Sequence, residues 1–248
     1  MILWRNPPAA QLESLMKIAN ANVLITGANR GIGLAFAKAA LARGANKVFA
    51  GARNPDSIAL AGVVPLKLDV TSTADITAAA EVAADATLVI NNAGIALTGS
   101  FMGPDAEEML HRHFETNVLG VLRMSRAFAP VLARNGGGAL LNVASVASFI
   151  SSTRFASYAV SKSAVWSLSN GLRHDLRAQG TQVTTLHMGW VDTDMTADID
   201  VPKSTSDEIA ARALDGLEAG AEEILADDIA RQIKAGLVAN PPMYLLSR

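Results

Sequence analysis

The chain has 248 residues, half of them apolar and 18% charged. That is enough for one α/β domain with a buried core, and no break in composition marks a second. A net charge of −2 gives no electrostatic basis for binding nucleic acid or an anionic membrane, and no apolar run approaches the ~20 residues of a membrane span. The absence of cysteine excludes disulfides and thiol catalysis, and is compatible with a cytoplasmic location.

The first 15 residues carry no strand or glycine motif. Pro7-Pro8 breaks regular structure, and Arg5 interrupts an apolar stretch already too short for a signal peptide. Residues 1–21 are therefore expected to be an N-terminal extension, peripheral to the fold, and residues 22–248 a single domain. That domain opens on Val23-Leu24-Ile25-Thr26, an apolar β-branched run that reads as a buried strand. Gly27-Ala28-Asn29-Arg30-Gly31-Ile32-Gly33 follows, then an alanine-rich stretch of helical propensity over 34–42.

A strand, a glycine turn and a helix in this order form the phosphate-binding start of a dinucleotide fold. Glycines let the backbone approach a pyrophosphate, and the helix N-terminus offers free N–H donors. The spacing is G-x-x-x-G-x-G, and such a turn is also compatible with a plain βα connection.

Further strands are expected near 47–50, 64–68, 88–91, 139–143 and 182–187, with a short last one near 223–225. Helices are expected near 74–84, 105–134, 157–178 and 206–218. Gly44 and Gly180 would stop the helices before them in left-handed caps, and Asp227-Asp228 reads as a helix start. This alternation predicts an α/β fold, a doubly wound, Rossmann-like parallel sheet of about seven strands with helices on both faces. In such a sheet ligands bind outside the carboxyl ends of the strands. Gly27, Asn92 and Ser145 all follow strand ends and should converge there, with Tyr158 opening the helix after Ser145.

Tyr158-Ala159-Val160-Ser161-Lys162 places a phenol and an ammonium one helical turn apart on one face. Free groups of these types titrate near ~10 and ~10.4. A fixed cation beside the phenol is expected to lower the tyrosine's pKa toward the range of a working general acid.

Together these residues resemble the short-chain dehydrogenase/reductase family, in its one-domain branch, over about residues 22–225. The markers stand in family order: Thr26-Gly27, Gly31-Ile32-Gly33, Asp69-Val70, Asn91-Asn92-Ala93-Gly94, Asn117, Ser145, Tyr158 and Lys162, with the serine thirteen positions before the tyrosine. The resemblance implies a dinucleotide-binding and catalytic domain that exchanges hydride between a nicotinamide and a carbonyl or alcohol carbon. Tyr158 would give or take the proton, and Lys162 would lower its pKa and hold the nicotinamide ribose. Ser145 would hydrogen-bond the substrate oxygen, and Asn117 would hold a water linking Lys162 to solvent. Gly27, Asn29, Arg30, Gly31, Ile32 and Gly33 would cradle the cofactor. Asp69 would bind the adenine amino group and Val70 flank the ring. Asn92, Ala93 and Gly94 would lie against the adenosine ribose, and Val191 and Thr193 would bind the carboxamide. A homodimer or homotetramer pairing helices 105–134 and 157–178 is also implied.

NAD-binding relatives carry an acid about ~20 residues after the glycine turn; here that position holds Arg53. With Arg30 as a second guanidinium, NADP(H) is expected, its 2′-phosphate bound bidentately. Ala96, Leu97, Phe149, Phe155, Trp190 and Met195 are expected to line the substrate pocket, which suits a small, neutral, lipophilic ketone or aldehyde. His111 and His113, two apart on a helix, make a poor metal pair, and no metal site is expected. The chain departs from the family at Met188-Gly189, where Pro-Gly is usual, and in a short segment at 195–204. The competing readings are an NAD-dependent alcohol dehydrogenase, disfavoured by Arg53, and a non-catalytic dinucleotide sensor, in which Tyr158 or Lys162 would typically be lost.

Overall fold

The computed structural model describes residues 15–246. Seven parallel strands, β1 (Asn22–Thr26), β2 (Lys47–Ala52), β3 (Val64–Lys67), β4 (Leu88–Asn91), β5 (Ala139–Val143), β6 (Gln182–His187) and β7 (Glu223–Leu225), form one sheet in the order β3-β2-β1-β4-β5-β6-β7. The strand order reverses between β1 and β4, which opens a crevice at their carboxyl ends. Central strands are buried on both faces, which is why they read as continuous apolar runs rather than alternating ones.

One face of the sheet is covered by α1 (Gly31–Ala42) and α6 (Ser206–Glu218), where Phe36, Ile209 and Leu214 pack on Ile25, Ile90 and Leu141. The other face is covered by α2 (Thr73–Val82), α4 (Gly120–Arg134) and α5 (Ala156–Leu176), through Ile76, Met124, Phe128 and Leu172. Local signals set the helix ends. The Ser72 hydroxyl caps α2 at the Asp75 amide, Thr205 and Glu208 close a capping box on α6, and Gly44 and Gly180 take positive φ of 78° and 76° after α1 and α5. A last helix, α7 (Asp228–Gly236), starts at Asp227, whose carboxylate accepts from the Ala230 amide at 2.7 Å.

Two boundaries differ from the sequence reading. The single helix expected over 105–134 is α3 (Ala106–His113), a widened π-turn over Phe114–Leu119, then α4. The core also begins before Asn22: Ile18 is fully buried, its amide donates to Glu218 Oε1 at 3.0 Å, and Met16 packs against the same core. The extension assigned to residues 1–21 therefore overlaps packed structure from Met16 onward, while the expectation of a peripheral segment falls mostly on residues 1–14, outside the described residues. A chain beginning at Met16 keeps the Ile18 anchor. It is expected to show the full-length protein's denaturation midpoint and turnover; a lower midpoint in urea titration would place residues 1–15 in the core.

Candidate active site

Gly27 (φ 66°) turns the chain from β1 toward α1, and a Cβ there would lie 3.1 Å from the Ala93 backbone. A Cβ on Gly33 would collide with the Gly27 carbonyl, so both positions need glycine for close approach. Gly31 (φ 52°) lies against Thr193, while Asn29 is half-buried and Ile32 packs on the core and reaches the central cavity. The first turn of α1 carries no acidic residue and no side-chain cap, so no side chain competes for its orphan N–H groups.

The turn is held from below by residues that look like ligands in the sequence. Asn92 Nδ2 donates to the carbonyls of Thr26 (2.9 Å) and Gly27 (3.1 Å), and the buried Thr26 hydroxyl accepts from the amides of Asn92 and Ala93. Thr26 is thus a structural key of the site that the sequence signalled only by its place before Gly27. Gly94 stands against Asn117 Oδ1. Asp69 Oδ1 closes a turn on the amide and hydroxyl of Thr71. Val70 is buried against Gly120 of α4.

The two arginines separate. Arg30 does not extend freely toward a phosphate: its guanidinium pairs with Asp194 at 2.9 Å, which ties the glycine turn to the loop after β6. Both partners are largely exposed, so the pair is worth little. Arg53 stands exposed just past β2, with no ion pair among the described residues.

Ser145 follows β5 in extended backbone, its hydroxyl accepting from the Ala147 amide at 3.1 Å. The short turn that follows is bolted to α5: Ser148 Oγ donates to the Lys162 carbonyl and Ser163 Oγ to the Ser148 carbonyl, each at 2.9 Å. This brings Ser145 and Tyr158 together on one wall of the site, with the Ser145 hydroxyl near enough to the phenol to draw its pKa down. Lys162 is buried, its ammonium donating to the Val143 carbonyl at 2.8 Å and lying 5.6 Å from the centre of the Tyr158 ring.

The expected depression of the phenol's pKa by Lys162 is not what this geometry produces. Burial pushes Tyr158 up to about 12, opposed only by the Ser145 hydrogen bond, and burial pulls Lys162 down to about 8. Desolvation of the charged form is the largest cause in each case.

Asn117 lies within the widened turn between α3 and α4. The π-turn carries it inside, where its amide is spent on protein: Oδ1 accepts from the Ile95 amide at 2.9 Å, and Nδ2 donates to the Ile95 carbonyl and to Ser161 Oγ, each at 3.0 Å. The side chain thereby clamps the segment after β4. His113 joins that clamp. Its Nε2 accepts from the Leu97 amide at 2.9 Å and its Nδ1 faces Ser157 Oγ at 3.0 Å, while His111 points to solvent. Among the described residues no three His, Cys, Asp or Glu side chains group as metal ligands, and no helix is long and apolar enough to cross a membrane.

A cavity of about 340 Å³ opens beside Ser145 and Tyr158. Ala96, Phe155, Trp190 and Met195 line it as expected, Val191 and Thr193 also reach it, and no described lining residue is charged. Leu97 and Phe149 do not line it: Leu97 is drawn toward His113, and Phe149 is buried in a stack on His187, ring centres 4.5 Å apart. Ile150 and, from α7, Ile229 and Ile233 line it as well, a wall that no local motif marks. Asp227 fixes that wall, its second carboxylate oxygen accepting from the Gly189 amide at 2.7 Å.

A family profile described as short chain dehydrogenase matches residues 21–203. The chain belongs to the short chain dehydrogenase family. It is 30% identical to the 3-oxoacyl-[acyl-carrier-protein] reductase FabG of Salmonella typhimurium over 243 residues, covering 90% of this chain and 97% of that protein. An uncharacterized oxidoreductase of Schizosaccharomyces pombe is 37% identical over 168 residues, 65% of this chain, and the oxidoreductase BOA17 of Botryotinia fuckeliana 32% over 181. The matches span 57% and 65% of those fungal proteins' own lengths. Among solved structures, a short chain dehydrogenase from Burkholderia cenocepacia J2315 in complex with NADP superposes with a TM-score of 0.87 at 35% identity, covering 91% of this chain and 96% of that one.

Proposed function

We propose that this short chain dehydrogenase interconverts a ketone or aldehyde and its alcohol by hydride transfer, with NADP(H) as cofactor and a small lipophilic substrate. The observation that carries the reading is the placement of Ser145 and Tyr158 together on the wall of a cavity with no charged residue among its described lining. The glycine cradle at Gly27 and Gly33 and the uncapped start of α1 fit a pyrophosphate. The exposed Arg53, without an ion pair among the described residues, fits a 2′-phosphate, and the Burkholderia relative was solved with NADP. Arg30 enters this reading only if its pair with Asp194 opens.

A bound NADPH supplies the hydride. Tyr158, protonated throughout the neutral range with its pKa near 12, donates a proton to the substrate oxygen as charge develops there. Ser145 accepts from Ala147 and keeps its own proton for that oxygen. Lys162 offers its remaining ammonium protons to the ribose hydroxyls, and its charge favours the phenolate left after transfer. Asn117 and His113 hold the 95–97 segment beside α5 as positioning residues. Asp69, Ala93, Gly94, Val191 and Thr193 complete the cofactor groove.

A spectrophotometric screen of NADPH against NADH with a panel of ketones tests the reading; turnover with NADH alone would favour the NAD-dependent alternative. Arg53→Ala should raise the KM for NADPH far more than that for NADH. Losing one charge-assisted contact costs roughly 1.5–3 kcal/mol, about ten- to a hundredfold, and equal effects on both cofactors would remove the case for NADP. We also infer self-association through α3, α4 and α5. Light scattering at micromolar concentration should then give a multiple of the 25.9 kDa chain.

A further inference from the structure

Behind Ser145, on the side away from the cavity, lies a buried cluster that the proposed chemistry does not use. His187, the last residue of β6, is fully buried, and its Nδ1 lies 3.0 Å from the Ser145 carbonyl oxygen. A carbonyl can only accept, so Nδ1 carries the proton and donates. Nε2 is then a bare lone pair. It has no hydrogen-bond partner among the described residues and faces Glu223 Oε1, another acceptor, at 3.7 Å.

Glu223 is in turn held by Trp166 Nε1 at 3.1 Å and by Lys234 Nζ at 2.9 Å. The Lys234 ammonium also sits over the rings of Phe149 (4.6 Å) and Trp166 (4.5 Å), and Phe149 stacks on the His187 ring. Lys234 belongs to α7, the helix that supplies Ile229 and Ile233 to the cavity wall. The cluster therefore joins the substrate wall to the backbone of the serine.

We infer that His187 is a positioning residue for Ser145, its Nδ1–H fixing the serine carbonyl and so the direction of the hydroxyl toward Tyr158 and the substrate oxygen. The inference rests on the reading of Ser145 as the group that hydrogen-bonds that oxygen. The ring is suited to the task because it stays neutral. Burial holds its pKa near 4, and the charges around it, Glu223 on β7, Lys234 on α7 and Lys162 on α5, act in opposing directions. One tautomer, and one donor direction, is thus kept across the neutral range.

The test compares His187→Phe, which keeps a stacking ring and removes the donor, with His187→Asn, which keeps an N–H near the Nδ1 position. The assay uses NADPH and the ketone that turns over best in the screen. His187→Phe should lose about ten- to a hundredfold in kcat while NADPH binding, read by fluorescence titration, stays within about twofold, and His187→Asn should recover most of the loss. Wild-type kcat in His187→Phe, or equal losses in both variants together with weakened NADPH binding, would overturn the inference. If His187→Phe does not fold, ¹⁵N NMR of the unsubstituted protein decides: an Nδ1–H tautomer supports the bond to Ser145 and an Nε2–H tautomer overturns it. Ser145→Ala separates the two levels, since full turnover there would sink the role of Ser145 itself.

Discussion

Tyr158→Phe is expected to lower kcat by about 10²–10⁴-fold, the usual worth of a positioned general acid, while leaving NADPH affinity nearly unchanged. The substitution deletes one oxygen and keeps the ring with its edge contacts to His113 and Phe155. Loss of the hydroxyl also changes the surroundings of the neighbouring Ser145 hydroxyl, so part of the effect belongs to the pair and not to the tyrosine alone. With its pKa near 12 the phenol is a proton donor at every pH at which the fold is expected to survive. The reductive rate should therefore show no fall attributable to Tyr158 between pH 6 and 9. Single-turnover NADPH oxidation with the variant checks the point; retention of more than about half the wild-type rate would exclude Tyr158 as the acid.

Lys162→Met is expected to abolish turnover and at the same time to stabilise the protein at pH 7. The ammonium is buried, bonded to the Val143 carbonyl, and has its pKa lowered from 10.5 to about 8. Below pH 8 the folded and unfolded chains both carry the proton, and the folded one bears the full cost of burying the charge, of the order of about 3 kcal/mol from the shift. Between pH 8 and 10.5 the unfolded chain holds a proton that the folded chain has released, so wild-type stability gains from this group as pH rises. The advantage of the methionine variant should consequently be greatest below pH 8 and shrink toward pH 10. The lost bond to Val143 offsets part of it. Urea unfolding of both proteins at pH 7 and pH 9.5 measures the difference. A variant less stable than wild type at pH 7, or a gap that widens with pH, would mean that the lysine is better paired than its burial indicates. A site residue that costs stability is a common signature of function retained at the expense of the fold.

The strands, the glycine turn and the order of Ser145, Tyr158 and Lys162 were legible in the sequence because each depends on neighbours close in the chain. Apolar β-branched runs bounded by turn residues mark buried strands wherever they end up in the sheet, and Gly27, Gly31, Gly44 and Gly180 take backbone angles that few other residues tolerate. Ser145 leaves β5 and Tyr158 opens the next helix, so one strand–turn–helix unit brings them to the same edge.

The partners of the polar side chains were decided only by tertiary structure. Arg30 meets Asp194 from 164 positions away, Val70 is covered by Gly120, Asn92 turns back to Thr26 and Gly27, and His187 comes to rest behind Ser145. Each contact links segments placed by different crossovers, and periodicity in a sequence reports which face is buried without reporting what lies against it. The same holds for the energies of the site. The spacing of Tyr158 and Lys162 puts them within reach of each other, but desolvation determines that both are shifted toward their neutral forms.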